Sequence, residues 1–163
     1  MHEMEIDLWE LYEQGFPCGI TTNGCVKRNG EAVMGRGIAL EANKRFPGLA
    51  RRLGNLIKNH GSHVFVIEER LFSFPVKPAQ GISNGHNTVR PFPAGALVPG
   101  WAMKADLELI RRSMEELEKL REAQGWDKVV LPRPGCGNGG LKWDEVRPII
   151  DRPWLIVVRR NHV

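Results

Sequence analysis

The stretch Lys128-Val-Val-Leu-Pro-Arg-Pro-Gly-Cys-Gly-Asn-Gly-Gly-Leu-Lys-Trp143 decides the fold class. Its first four residues, 128–131, read as a buried strand, with the short apolar run Val-Val-Leu after Lys128. Residues 132–140 are a glycine-rich loop, and 142–150 carry a short helical pattern with Pro148 late in it. Such a loop between a buried strand and a helix suits phosphate binding. Glycines let backbone N–H groups approach oxygen atoms closely, and a helix N-terminus favours negative charge.

Upstream, Gly30-Glu-Ala-Val-Met-Gly-Arg-Gly37 has the same setting. It follows an apolar stretch, 16–22, that ends in the turn signal Thr21-Thr22-Asn23-Gly24, and it precedes a helical pattern over 38–46. Leu49, Leu53, Leu56 and Ile57 give a second amphipathic helix to about His60. Nearer the start, 4–8 reads as a first strand. Asp7-Leu-Trp-Glu10 has the spacing of a capping box opening a helix over 8–14, which Gly15 stops. Residues 63–67 and 70–76 are strands, and 78–100 is an aperiodic loop rich in Pro, Gly and Asn. Loops of that length in compact domains are usually functional or mobile. Met103, Leu107, Ile110, Met114, Leu117 and Leu120 fall on one stripe of a long helix closed by Gly125, and 154–158 is a continuous apolar strand. Strands alternating with helices make an α/β fold, and continuously apolar strands imply a mostly parallel or mixed sheet covered on both faces. No linker divides the chain, so 1–163 is expected to be a single domain with a loop insertion at about 78–100.

The net charge of +4 and pI near 9.2 favour an anionic partner, weakly, because acidic and basic residues are interspersed and no basic arm is present. Cys18, Cys25 and Cys136 lack CxxC spacing, which argues against a zinc site or a disulfide framework and for reduced, cytoplasmic thiols. Residues 1–5 are too short and polar for a signal peptide, and no apolar run approaches the ~20 residues of a membrane span. Neither glycine loop fits GxxxxGK[ST] or a GxGxxG after the first strand, which speaks against a P-loop NTPase and an ordinary Rossmann dehydrogenase.

Two motifs carry a resemblance. Asn23 to Pro47, with Val33-Met-Gly-Arg-Gly-Ile-Ala39 and Arg45-Phe-Pro47, resembles the first ligand loop of macrodomains, and Leu131 to Trp143 resembles the second. The similarity runs to the branch that holds the DNA ADP-ribosyl glycohydrolase antitoxin DarG and the terminal ADP-ribose protein glycohydrolase. It implies a three-layer α/β/α fold with an ADP-ribose cleft at one end of the sheet. By that resemblance Asp7, with Leu8 beside it, looks like the aspartate that bonds the adenine amino group; a plain helix N-cap would also explain Asp7. Asn23 looks like the asparagine near the distal ribose, with a turn-forming role as the alternative. Met34, Gly35, Gly37 and Ile38 look like the first diphosphate segment. Pro134, Gly135, Cys136, Gly137, Asn138, Gly139, Gly140 and Leu141 look like the second.

Lys77 is the catalytic candidate. Ser73-Phe-Pro-Val-Lys-Pro78 resembles the Phe-Pro-x-Lys strand end of the DarG-like branch, whose lysine is implicated in cleavage at the distal ribose. Without that likeness it reads as a surface lysine bordering a loop. Two departures stand out. Gly139 occupies the position of a proposed catalytic aspartate in the terminal glycohydrolase, as it does in DarG-like proteins. About twenty residues, with Asn84, His86, Asn87 and Arg90 among them, separate Lys77 from Trp101, where the family has a short segment. His86, Glu31 and Glu41 read as surface groups.

The resemblance thus implies an ADP-ribosyl glycohydrolase acting on a modified macromolecule, with DNA as one candidate and reversal of ADP-ribosylation in a toxin–antitoxin setting as the context. The alternatives are a non-catalytic ADP-ribose reader, an ADP-ribose 1″-phosphate phosphatase, and a prokaryotic or phage protein that sequesters an NAD-derived signal. No metal or redox cofactor is implied; ADP-ribose is ligand or product. The expected partners are ADP-ribose or an ADP-ribosylated macromolecule, with nucleic acid a candidate, no membrane, and a monomeric state.

Overall fold

A computed structural model describes residues 1–160. Strand β1 is His2–Glu5, helix α1 Leu8–Glu13 and strand β2 Cys18–Thr22. Helices α2, Gly37–Arg45, and α3, Leu49–His60, follow, then β3, Val66–Glu68, and β4, Leu71–Pro75. Next come β5, Gln80–Ile82, β6, Leu97–Pro99, a 3₁₀ turn at Gly100–Ala102, α4, Leu107–Gln124, β7, Val129–Pro132, α5, Trp143–Ile150, and β8, Leu155–Arg159. Six strands form one sheet in the order β1-β8-β7-β2-β4-β3, parallel throughout except for β3 against β4.

The pleat sorts side chains to two cores. On β7 and β8, Val130, Ile156 and Val158 point to one face, while Val129, Leu131, Leu155 and Val157 point to the other. The first face packs under Trp9, Tyr12, Ala42, Leu49 and Leu53 of α1, α2 and α3; the second under Ile110, Met114, Leu117, Val146 and Ile150 of α4 and α5. Burial on both faces is why these strands are apolar without interruption, and it makes the three-layer α/β/α arrangement expected above.

Several expectations need adjusting. The first strand ends at Glu5 because Asp7 is the extended N-cap of α1. Its Oδ1 accepts from the Trp9 N–H at 3.2 Å, an N2 cap where a capping box would bond the N3 amide. Met103 precedes α4 and packs instead with Val98 and Ala102. The 78–100 segment is not wholly irregular: β5 and β6 pair antiparallel as a separate two-stranded sheet. Among the described residues no helix is long and apolar enough to cross a membrane.

Candidate functional site

Parallel strands end together, so their C-terminal ends and following loops build a crevice. Here that crevice is a cavity of about 840 Å³ lined by Thr21 and Thr22 from β2, Val76 and Lys77 after β4, Pro132 at the end of β7 and Arg133 after it. Both glycine loops meet there. Met34, Gly35, Gly37 and Ile38 line one side; Gly135, Gly137, Asn138, Gly139 and Gly140 line another. Sequence separation of about a hundred residues is closed because β2 and β7 are neighbours in the sheet. The volume falls in the range of small-molecule sites, ~300–1,000 Å³.

The glycines serve different ends. An added Cβ at Gly35 or Gly137 meets nothing within 4 Å, so these two backbones face open cleft and a ligand can approach them. At Gly139 a Cβ would lie 2.4 Å from the Gly135 carbonyl oxygen and 2.8 Å from Ala105 Cβ. The loop is packed so tightly that this position cannot carry an aspartate. Gly37 has φ of 58° and opens α2, whose N-cap Arg36 makes no side-chain capping bond. The first-turn amides of α2 therefore lie at the cleft wall without a side-chain cap, the arrangement that receives anions.

Asn23 lines the cavity and also makes a turn: its Oδ1 accepts from the Cys25 N–H at 2.9 Å. Lys77 is 7% exposed and lines the cavity floor. Its place is fixed from several directions. The Val76 N–H donates to the Thr22 carbonyl at 2.9 Å, the Val76 carbonyl accepts from the Asp106 N–H at 2.9 Å, and Ser113 Oγ donates to the Pro75 carbonyl at 2.7 Å. Lys77 Nζ donates to the Trp101 carbonyl at 3.0 Å. Burial, and then the nearby Arg36 charge, hold its ammonium below the usual lysine range, opposed in small part by Cys25.

Five sequence-nominated residues lie outside the cavity lining. Asp7 caps α1 and pairs with Arg160 at 3.3 Å, and Leu8 is buried in the first core. Pro134 is buried, and Cys136 and Leu141 pack against the second core. Burial pushes the Cys136 thiol up from its ordinary value. His86 is exposed, as expected, while Glu31 pairs with Arg51 and Glu41 pairs with Arg160.

Other residues join the site without having been nominated. Arg36, Arg90, Lys104 and Arg133 line the cavity with Lys77, and among the described residues no carboxylate does. Among the described residues Arg36, Lys77, Arg90 and Lys104 have no ion-pair partner, whereas Arg133 lies 3.7 Å from Glu3. Arg36 stands between the two glycines of its loop, a signal that was legible. Arg90 and Trp101 come from the 78–100 segment and the 3₁₀ turn that follows it, where no periodicity points to them; the Arg90 guanidinium lies 5.1 Å from the Trp101 ring centroid. The site is thus a cation-walled crevice with two backbone segments open to a ligand, suited to a polyanion such as a diphosphate.

No family model matches the chain, and no curated protein matches it in sequence. Solved structures do. The macrodomain of Mycobacterium tuberculosis DarG superimposes with a TM-score of 0.68 at 19% identity, covering 98% of this chain and 97% of that one. The macrodomain of Thermus aquaticus DarG gives 0.64 at 18% identity, with 99% and 97% covered. Thermosipho africanus DarTG in complex with ADP-ribose gives 0.59 at 17% identity, covering 87% of this chain and 37% of that one. The chain has the macrodomain fold, as its loop motifs led us to expect.

Proposed function

We propose that this macrodomain-fold protein binds ADP-ribose in the crevice and hydrolyses its bond to a modified macromolecule, in the manner of a DarG-like glycohydrolase, with DNA as the candidate carrier. One observation carries the binding reading: among the described residues the cavity has five cationic side chains, no carboxylate, and two glycine backbones with open space before them. A diphosphate supplies the charge that such walls lack. The Thermosipho africanus structure holding ADP-ribose supports the choice among diphosphates.

In this reading the diphosphate lies along Gly35–Ile38 and Gly135–Gly140, and the distal ribose reaches Asn23 and Lys77. The bond from the anomeric carbon to the acceptor atom breaks with its electron pair going to the acceptor. Water supplies the hydroxyl, and its proton ends on the acceptor. The developing oxocarbenium charge is balanced by the nearby diphosphate. Lys77, its proton affinity reduced by burial, acts as the neutral amine, takes the proton from the attacking water and passes it to the departing acceptor; if the Lys77 amine itself attacks, a covalent adduct would be trapped by borohydride. Adenine lies toward Asp7, whose carboxylate Arg160 must then share or release.

A non-catalytic reader is the second reading, favoured by one observation: among the described residues no carboxylate lines the cleft to serve as a general base. The deciding experiment is calorimetric titration with ADP-ribose, with AMP and NAD as controls, followed by hydrolysis assays on ADP-ribosylated DNA, ADP-ribosylated protein and ADP-ribose 1″-phosphate. Lys77→Ala should abolish hydrolysis and keep ADP-ribose affinity. Binding without release from any carrier supports the reader, and absence of binding removes both readings. Asp7→Ser should keep the helix cap and weaken ADP-ribose binding; unchanged affinity would leave Asp7 a cap alone.

A further inference from the structure

The insertion between Lys77 and α4 is anchored where the proposed chemistry takes place. The Gly100 N–H donates to the Ala79 carbonyl at 2.8 Å, two residues beyond Lys77. A Cβ on Gly100 would stand 1.8 Å from the Pro78 carbonyl oxygen, so the 3₁₀ turn lies directly against the backbone that follows the lysine. Next in that turn is Trp101, whose carbonyl accepts the Lys77 ammonium at 3.0 Å. The turn is held from behind by a small core of its own, with Val98 and Ala102 fully buried and Met103 nearly so. Beyond it, the Lys104 N–H donates to the Asn87 carbonyl and the Ala105 N–H to the Gly139 carbonyl, joining the insertion to the second glycine loop. This wall therefore removes Lys77 from water while offering its ammonium a backbone oxygen.

We propose that the 3₁₀ turn Gly100–Ala102 is the positioning element for Lys77, with the Trp101 carbonyl aiming the Lys77 ammonium at the cleft floor and the insertion excluding water from it. This rests on Lys77 as the catalytic group proposed above. The groups facing Lys77 are Arg36 on the first glycine loop and Cys25 beyond Asn23, with Arg90 and Lys104 elsewhere on the cavity wall. None is a carboxylate, so the carbonyl is the acceptor that orients the ammonium. The role belongs to the backbone of Trp101, not to its ring.

The test follows the Lys77 titration directly in full-length protein with ¹³C-labelled lysine side chains, the signal assigned by its loss in Lys77→Arg. Gly100→Ala displaces the turn from Pro78; Val98→Ala loosens the core behind it without touching Lys77. Both are expected to move the Lys77 titration up toward that of a free lysine, further in the first variant than in the second. Where turnover is measurable, kcat falls about tenfold with ADP-ribose affinity unchanged. Trp101→Ala, which keeps the carbonyl, should leave the titration where it is. The proposal is overturned if folded Gly100→Ala and Val98→Ala both titrate like the wild type, or if Trp101→Ala alone reproduces the shift. Should Gly100→Ala fail to fold, Val98→Ala decides. Failure of the ADP-ribose reading is seen separately, as absence of calorimetric binding to the wild-type protein, and leaves the titration result intact.

Discussion

A single buried lysine without an acidic partner is costly at neutral pH, because burial disfavours its charged form. Lys77 is retained at 7% exposure with a carbonyl as its acceptor. Unfolded, it titrates near ~10.4; folded, it titrates lower. Between those values the unfolded chain holds the proton that the folded chain has released, so stability rises with pH through that window, and below it the cost of burying the ammonium is fully present. Lys77→Met is therefore expected to raise the melting temperature at pH 7 by ~2–4 °C, about 1 kcal/mol, with the gain shrinking as the pH approaches 10. Thermal scans of both proteins across pH check this; a lower melting temperature for Lys77→Met at neutral pH would sink it. Lys77 was legible only through its Phe-Pro-x-Lys context, since its burial depends on a turn more than twenty residues away.

Helices and core strands were read from the chain with small errors, because each has a stripe or run that its neighbours must cover. The 49–60 helix has the expected bounds. Leu49 and Leu53 are buried, and a Cβ on Gly54 would lie 1.9 Å from the Gly30 carbonyl oxygen. That glycine lets α3 close on the first glycine loop, so Gly54→Ala should destabilise by ~1–3 kcal/mol and disturb residues 30–32. Chemical denaturation measures the loss; an unchanged midpoint would mean that the loop is not held by this packing. The β5–β6 hairpin escaped prediction for the opposite reason. Its strands have three residues each; Ile82 and Leu97 are exposed, and only Val98 of its apolar residues is fully buried, so no alternation marks it.

At the scale of the molecule the cavity charge is the property to test. Arg36, Lys77, Arg90, Lys104 and Arg133 come from five places in the chain and converge on one crevice, while the chain as a whole is only +4. Attraction between exposed charges is screened over ~10 Å at 0.1 M salt, so ADP-ribose affinity should fall steadily as sodium chloride rises from ~0.05 to ~0.5 M. Adenosine, which lacks the diphosphate, should respond far less. Equal salt dependence for the two ligands, measured by calorimetry, would remove the electrostatic reading of the cleft. The amino-acid order by itself determined the α/β class, most helices and strands, and the two glycine loops, because hydrophobic periodicity and glycine placement act over a few neighbouring residues. Only the tertiary structure decided that Asp7 and Leu8 stand apart from the cavity lining, that no side chain fits at Gly139, and that the segment between Lys77 and α4 supplies Arg90 and the Trp101 carbonyl to the site. These follow from which strand ends lie side by side and how closely loops pack on them, and such contacts join residues whose local patterns carry no trace of one another.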